Sequence, residues 1–146
     1  MNEQELARAV ADSMATADQK IFDLLGISVL EAVPGAAVTA MAVREDMVNS
    51  HAYCHGGLVY TLADTAFAYA VSSHNRASVT LCGQIQYIKP ARLGDQLTAS
   101  ARVSSLGGRT GTCDVVVRNQ TDRVIARFSG TAFRLDSEVV ENAKSD

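Results

Sequence analysis

Asp64 is the only acid in the run LVYTLADTAFAYAV, Leu58 to Val71, which is otherwise apolar or aromatic apart from Thr61 and Thr65. A helix that is apolar nearly all round is buried. This run is shorter than the roughly 20 residues a bilayer requires, so the burial is inside protein. Thr61, Asp64 and Thr65 stand at i, i+3 and i+4 and share one face. A lone carboxylate there is costly unless it is paired, hydrogen-bonded or neutralised, which points to an acid–base residue or to a structural bond with a nearby loop. Burial raises the pKa of such a group, and hydrogen bonds from Thr65 or a backbone N–H are expected to limit the rise.

His55-Gly56-Gly57 directly precedes this run. Glycines at a helix start let a ligand approach the backbone. The first N–H groups have no intrahelical partner and sit at the positive end of the dipole, where they suit an anion or a polarised carbonyl oxygen; a plain turn is the alternative. Gly56 and Asp64 are eight residues apart, which is about 12 Å along a helix axis. That is too far for both to meet one reacting carbon. A site using both must draw them from two chains, which predicts a homodimer with composite sites.

Other clusters carry less. His51, Cys54 and His55 match no standard zinc spacing, and a haem attachment motif needs a cysteine where His51 stands, so no metal site is expected. Cys54 and His55 are adjacent, and adjacent residues seldom point at each other as nucleophile and base. Tyr60, Phe67 and Tyr69 are expected to pack the core or line a ligand pocket, and His74 to sit where the helix dipole favours it.

The elements that must position these residues follow from periodicity. Leu6, Val10, Met14, Ile21, Leu24 and Leu25 fall near one stripe and predict a helix from about Glu3 to Leu25, stopped by Gly26. After Pro34-Gly35, alternation around Val38, Ala40 and Ala42 predicts a strand. A polar loop from Arg44 to Cys54 leads into the central helix. Strands are then expected over Val79 to Ile88, around Leu97 to Val103, around Thr112 to Arg118 and from Arg123 to Phe133, with turns at Gly107-Gly108 and Asn119 to Asp122. The polar tail, 136–146, is expected to fray. The sum is an α+β domain over 1–146: a helix at about 3–25, then a core at 26–135 in which one long helix meets an antiparallel meander of about five to six strands.

The chain has 146 residues, 47% hydrophobic and 20% charged, enough to bury a core without disulfide or metal staples. A net charge of −3 argues against nucleic acid as a partner. Three scattered cysteines imply no disulfide framework and suit a reducing compartment. The N-terminus lacks the apolar core of a signal peptide, and no segment has the length to span a membrane. A cytoplasmic location is expected.

Asn49, His55-Gly56-Gly57 and Leu62-Ala63-Asp64-Thr65-Ala66-Phe67-Ala68 together resemble the motif of the PaaI-type thioesterases of phenylacetic acid degradation, enzymes of the hot-dog fold. Tyr87-Ile88-Lys89-Pro90 with Gly94-Asp95, Gly108-Arg109-Thr110 and Phe128-Ser129-Gly130-Thr131 extend the likeness from about residue 20 to 135. The segment Ser50-His51-Ala52-Tyr53-Cys54 departs from it, since some relatives have a glycine two residues after Asn49.

The resemblance implies a curved sheet wrapped around the long helix, and hydrolysis of acyl-CoA thioesters without metal or cofactor, coenzyme A being part of the substrate. Phenylacetyl, hydroxyphenylacetyl and medium-chain acyl groups are all compatible. By the same likeness, Asp64 is the base or nucleophile and the Gly56 N–H the donor to the carbonyl. Asn49 is a second polar group at that oxygen and His55 shapes the turn. Gly57, Thr65 and Thr80 contact substrate or water, while Lys89, Arg92, Arg102, Arg109 and Thr110 are candidates for the coenzyme A path. A dimer of dimers is implied. A hot-dog dehydratase and a non-catalytic acyl-CoA-binding or assembly module are the competing readings.

Overall fold

The first helix begins where its capping chemistry says it should. In the computed structural model, which describes residues 1–141, the Asn2 side chain accepts from the Glu5 N–H at 2.8 Å and the Glu5 carboxylate accepts from the Asn2 N–H at 3.1 Å. The helix α1 (Glu3–Ala17) buries Ala7, Val10 and Ala11 on one stripe. It does not continue to Leu25. The chain breaks at Asp18 (φ −88°, ψ 3°) and restarts as α2 (Gln19–Leu25), which stops at Gly26.

Tertiary contact overrides the helical pattern at the break. The Asp18 carboxylate accepts from the Tyr69 hydroxyl at 2.8 Å instead of capping α2, and Phe22 packs on the Tyr69 ring with centroids 6.0 Å apart. Ile21 and Leu24, expected on the apolar stripe, are exposed as a result.

Six strands follow: β1 (Ser28–Val33), β2 (Ala36–Ala42), β3 (Ser78–Tyr87), β4 (Gln96–Leu106), β5 (Thr110–Arg118) and β6 (Val124–Arg134), with α3 (Gly56–Val71) between β2 and β3. They form one antiparallel sheet in the order β1-β2-β4-β5-β6-β3. Two expectations fail here. β1 was not foreseen, because its burial does not alternate along the strand and a register irregularity interrupts it between Val29 and Glu31. The sheet is also not a simple meander. β1 pairs with β2, and β4, β5 and β6 pair in turn, but β3 crosses to the far edge beside β6 and leaves β2 against β4.

Alternation sets the inner face. Ala37, Thr39 and Met41 of β2, Leu97, Ala99 and Ala101 of β4, and Cys113, Val115 and Val117 of β5 are all buried. The helix α3 packs against all six strands, its Leu62, Ala63, Ala66 and Ala70 without solvent exposure. Thr39 ties it to the sheet by donating to the Leu62 carbonyl at 3.1 Å. Register shifts in β1, β3 and along the β4–β5 and β5–β6 pairings bend the sheet around the helix.

The start of the tail is held down, against expectation. The Ala77 N–H donates to the Ser137 carbonyl, and the Asn75 side chain binds the backbone of Val139 and Val140. The remainder, 142–146, lies outside the described residues. No helix among the described residues is long and apolar enough to cross a membrane.

Candidate active site

Asp64 emerges from the buried helix into a small groove of about 210 Å³ lined by Asp18, Ile21 and Phe22 of the N-terminal helices and by Thr61, Thr65, Ala68 and Tyr69 of α3. Its Oδ1 is buried and has no hydrogen-bond partner among the described residues. Burial pushes the Asp64 carboxyl above the usual carboxylate range, and the Thr80 hydroxyl on β3 pulls the other way. The expected support from Thr65 is absent. Its hydroxyl donates to the Thr61 carbonyl at 2.7 Å, one turn back along its own helix, and Thr61 does the same to Gly57 at 2.9 Å. So two of the three polar residues on the stripe are satisfied within the helix, and the carboxylate alone is left facing the groove.

The start of α3 is built differently. His55 is the N-cap but its side chain makes no capping bond. Its ring is exposed, and its N–H donates to the Met47 carbonyl at 2.9 Å, which fixes the turn as expected. The N–H groups of Gly56 and Gly57 find no acceptor among the described residues. Gly56 borders a groove of about 450 Å³ together with Asn49, Tyr53, Tyr87 and Lys89.

The two glycines are not equivalent. A Cβ on Gly56 would lie 2.8 Å from the Tyr87 ring and hydroxyl, whereas nothing stands within 4 Å of one on Gly57. The close approach at Gly56 is therefore made by Tyr87, whose hydroxyl donates to the Gly56 carbonyl at 2.7 Å. Tyr87 carries no role of its own in the sequence pattern. Its signal was available in Tyr87-Ile88-Lys89-Pro90, but only the fold brings β3 across to the helix start.

Asn49 folds the departing segment Ser50 to Cys54 on itself. Its Oδ1 accepts from the N–H groups of His51 at 2.9 Å and Tyr53 at 3.2 Å. Because both partners are donors, the oxygen is the atom that faces them, and the Nδ2 donor is left for the groove. Ala52 closes this loop at φ 60°, a left-handed conformation that costs a non-glycine residue about 1–2 kcal/mol. Bonds from Ala52 to Asn49 and from Leu93 to Ala52 hold it there.

The basic candidates separate. Lys89 lines the Gly56 groove, and the Arg92 guanidinium lies 5.2 Å from the centre of the Tyr53 ring beside it. Arg109 and Thr110 stand at the β4–β5 turn near the other end of α3, where Arg76 and Arg109 both approach Asp136, at 3.5 and 3.7 Å. Arg102 alternates onto the outer face of the sheet with Asp114 and Arg118, away from the helix.

Gly56 and Asp64 border different grooves of one chain. Eight residues put them about 12 Å apart along the axis and roughly 80° around it.

Residues 51–126 match the Thioesterase superfamily. The acyl-coenzyme A thioesterase PaaI of Escherichia coli is 40% identical over 119 residues, 82% of this chain and 85% of that protein. The solved E. coli PaaI structure aligns with a TM-score of 0.91 at 36% identity, covering 94% of this chain and 99% of the other. The smu.793 protein of Streptococcus mutans, solved bound to acetyl CoA, aligns at 0.74 with 28% identity over 77% of this chain and 90% of its own. Fold, matched segment and relatives agree: the chain belongs to the Thioesterase superfamily, as a hot-dog thioester hydrolase.

Proposed function

We propose that the substrate is an acyl-CoA, cleaved to the free acid and coenzyme A. The observation that carries this is the division of labour along α3, with unpaired backbone donors at its start and, in its middle, a desolvated carboxylate whose buried Oδ1 has no partner among the described residues.

The thioester carbonyl sits against the Gly56 and Gly57 N–H groups, with Asn49 Nδ2 as a further donor. Asp64 of a second chain takes a proton from water as the water oxygen bonds to the carbonyl carbon. The C–S bond then breaks, and the proton passes to the coenzyme A thiolate. Alternatively Asp64 attacks first, and water hydrolyses the resulting anhydride. Because a thiolate leaves readily, neither metal nor cofactor is needed. His55 shapes the turn, and Thr80 orients the water or the carboxylate. PaaI of E. coli and the acetyl CoA complex of the S. mutans protein support the substrate class. Ile21, Phe22, Ala68 and Tyr69 give the small groove around Asp64 an apolar, partly aromatic side, opposite the polar Asp18, Thr61 and Thr65. That favours phenylacetyl, hydroxyphenylacetyl or medium-chain acyl groups.

A two-chain site is supported by β3. Its outer edge is unpaired in the sheet among the described residues, and Val79, Leu81 and Tyr87 along it are 50%, 58% and 52% exposed, with Ile88 just beyond its end at 48%. Long apolar edges of this kind are normally covered. Tyr87 touches Gly56 near one end of β3, and Thr80 acts on Asp64 near the other. Antiparallel pairing of two β3 strands sets the first pair against the second across a two-fold axis. It also brings Arg109 and Thr110 of one chain toward Lys89 and Arg92 of its partner, a path for the anionic coenzyme A. Two such dimers associate into a tetramer. The cytoplasm is the compartment we infer, consistent with three free cysteines.

Thiol release should be measured with phenylacetyl-, hydroxyphenylacetyl- and octanoyl-CoA. Asp64→Asn abolishes release while acyl-CoA still binds; unchanged turnover sinks the assignment, and binding without hydrolysis by the unmodified protein makes it an acyl-CoA-binding module. Mixing inactive Asp64→Asn and Gly56→Ala chains in equal amounts restores about a quarter of the activity, because half the dimers then hold one intact composite site. No recovery places the site within one chain.

A further inference from the structure

Tyr87 is a half-exposed tyrosine near the end of an edge strand, yet its hydroxyl is committed to a backbone carbonyl of α3 at 2.7 Å. That carbonyl belongs to Gly56, and the same peptide group carries the N–H of Gly57. The ring is seated so closely on Gly56 that no side chain fits there, while the space around Gly57 is open. Burial pushes the Tyr87 phenol above its ordinary pKa, helped by neighbouring Tyr60 and Cys54, so it stays a proton donor through the neutral range.

A hydrogen bond to a peptide oxygen polarises the whole peptide group, and chains of hydrogen bonds strengthen one another by about 10–30% per bond. We propose that Tyr87 is a positioning residue for thioester hydrolysis, holding the Gly56-Gly57 peptide and sharpening the Gly57 N–H as a donor to the thioester oxygen. This rests on the assignment of the helix start as the carbonyl site. Glycine is then required at 56, where the clasp leaves no room for a Cβ, while Gly57 contributes only its backbone N–H. Tyr87 touches neither water nor the reacting carbon in this scheme. Its effect is on the transition state, where charge gathers on the oxygen, more than on the bound ground state.

Tyr87→Phe keeps the ring against Gly56 and removes only the donor. It lowers kcat about three- to tenfold, the fold-change expected for one net hydrogen bond, with KM within about twofold and an unchanged thermal midpoint. A direct readout is the infrared carbonyl stretch of a ¹³C-labelled ketone analogue of phenylacetyl-CoA, in which a methylene replaces the scissile bond to sulfur. In the unmodified enzyme the band moves to lower frequency on binding. In Tyr87→Phe, at saturating analogue, part of that shift is lost. If the band does not move in the unmodified enzyme, the carbonyl site itself is wrong and the proposal falls with it. If it moves equally in both proteins and kcat is unchanged, the carbonyl site stands and the role of Tyr87 is overturned. A lowered thermal midpoint with unchanged kcat and carbonyl shift also overturns it, leaving Tyr87 a packing residue.

Discussion

The two candidate functional regions of α3 are built in opposite ways. At its start the polar groups are backbone N–H donors, which exist at every helix N-terminus, and what had to be arranged is their freedom. His55 does not cap them, Gly57 leaves open space, and Tyr87 grips the peptide from behind. In the middle of the helix the backbone is fully engaged, and the chemistry depends on one side chain held against its own solvation. Asp64 is the exception on a stripe where Thr61 and Thr65 bond back to their own helix. A donor site of the first kind is sensitive to shape. An acid of the second kind is sensitive to charge and pH.

The largest expected effect comes from charge. Asp64→Asn lowers kcat by about 10²–10⁴-fold, the range for loss of a positioned acid–base group, and is read by thiol release at saturating acyl-CoA. The same substitution stabilises the fold. The folded-state pKa of Asp64 is raised above its model value of 3.8, so the folded protein holds the proton more tightly than the unfolded chain. Stability from this group is therefore lost as pH rises from about that model value through the folded value. Asp64→Asn should raise the thermal midpoint at pH 7, and the gain should vanish below about pH 4. A lower midpoint at pH 7 would mean that the carboxylate is paired in the assembled protein.

Shape comes next. Gly56→Ala drives a methyl group into the Tyr87 ring and displaces the donor turn, lowering kcat by about 10²-fold, as for loss of an oxyanion donor. Gly57→Ala, placed in open space, changes kcat by less than about threefold. Equal losses at the two positions would erase the distinction drawn between them.

A smaller change sharpens the electrostatic half. Thr80→Val removes the group that lowers the Asp64 pKa among the described residues, so the acid limb of the pH–rate profile moves to higher pH. An unmoved limb would separate Thr80 from the carboxylate. The smallest effect is structural: Tyr69→Phe removes the bond to Asp18 and costs about 1 kcal/mol of stability, measured by chemical denaturation, with kcat within about twofold.

Much of this site is legible in the residue order, for local reasons. A carboxylate inside an apolar helical run, two glycines at the helix start and their separation along the axis are all properties of one continuous segment, and helical geometry converts them directly into distances. Five of the six strands are legible in the same way, β2, β4 and β5 from alternation and β3 and β6 from the proline and turn residues that bound them. The unforeseen features depend on partners far apart in sequence. β1 lacks alternation because its faces are not cleanly divided between core and solvent. The break at Asp18 exists because Tyr69, fifty-one residues away, claims its carboxylate.

The sequence by itself determined that a buried helix would carry one acid, with free backbone donors at its start, and that a single chain cannot bring the two together. Periodicity and burial are local, so they survive without knowledge of the fold. Only the tertiary structure decided what surrounds each end. It set β3 at the sheet edge, so that Tyr87 reaches Gly56 while Thr80, and not Thr65, reaches Asp64. Those pairings follow from the strand order, which depends on how the whole sheet closes over its core, and no local pattern encodes that.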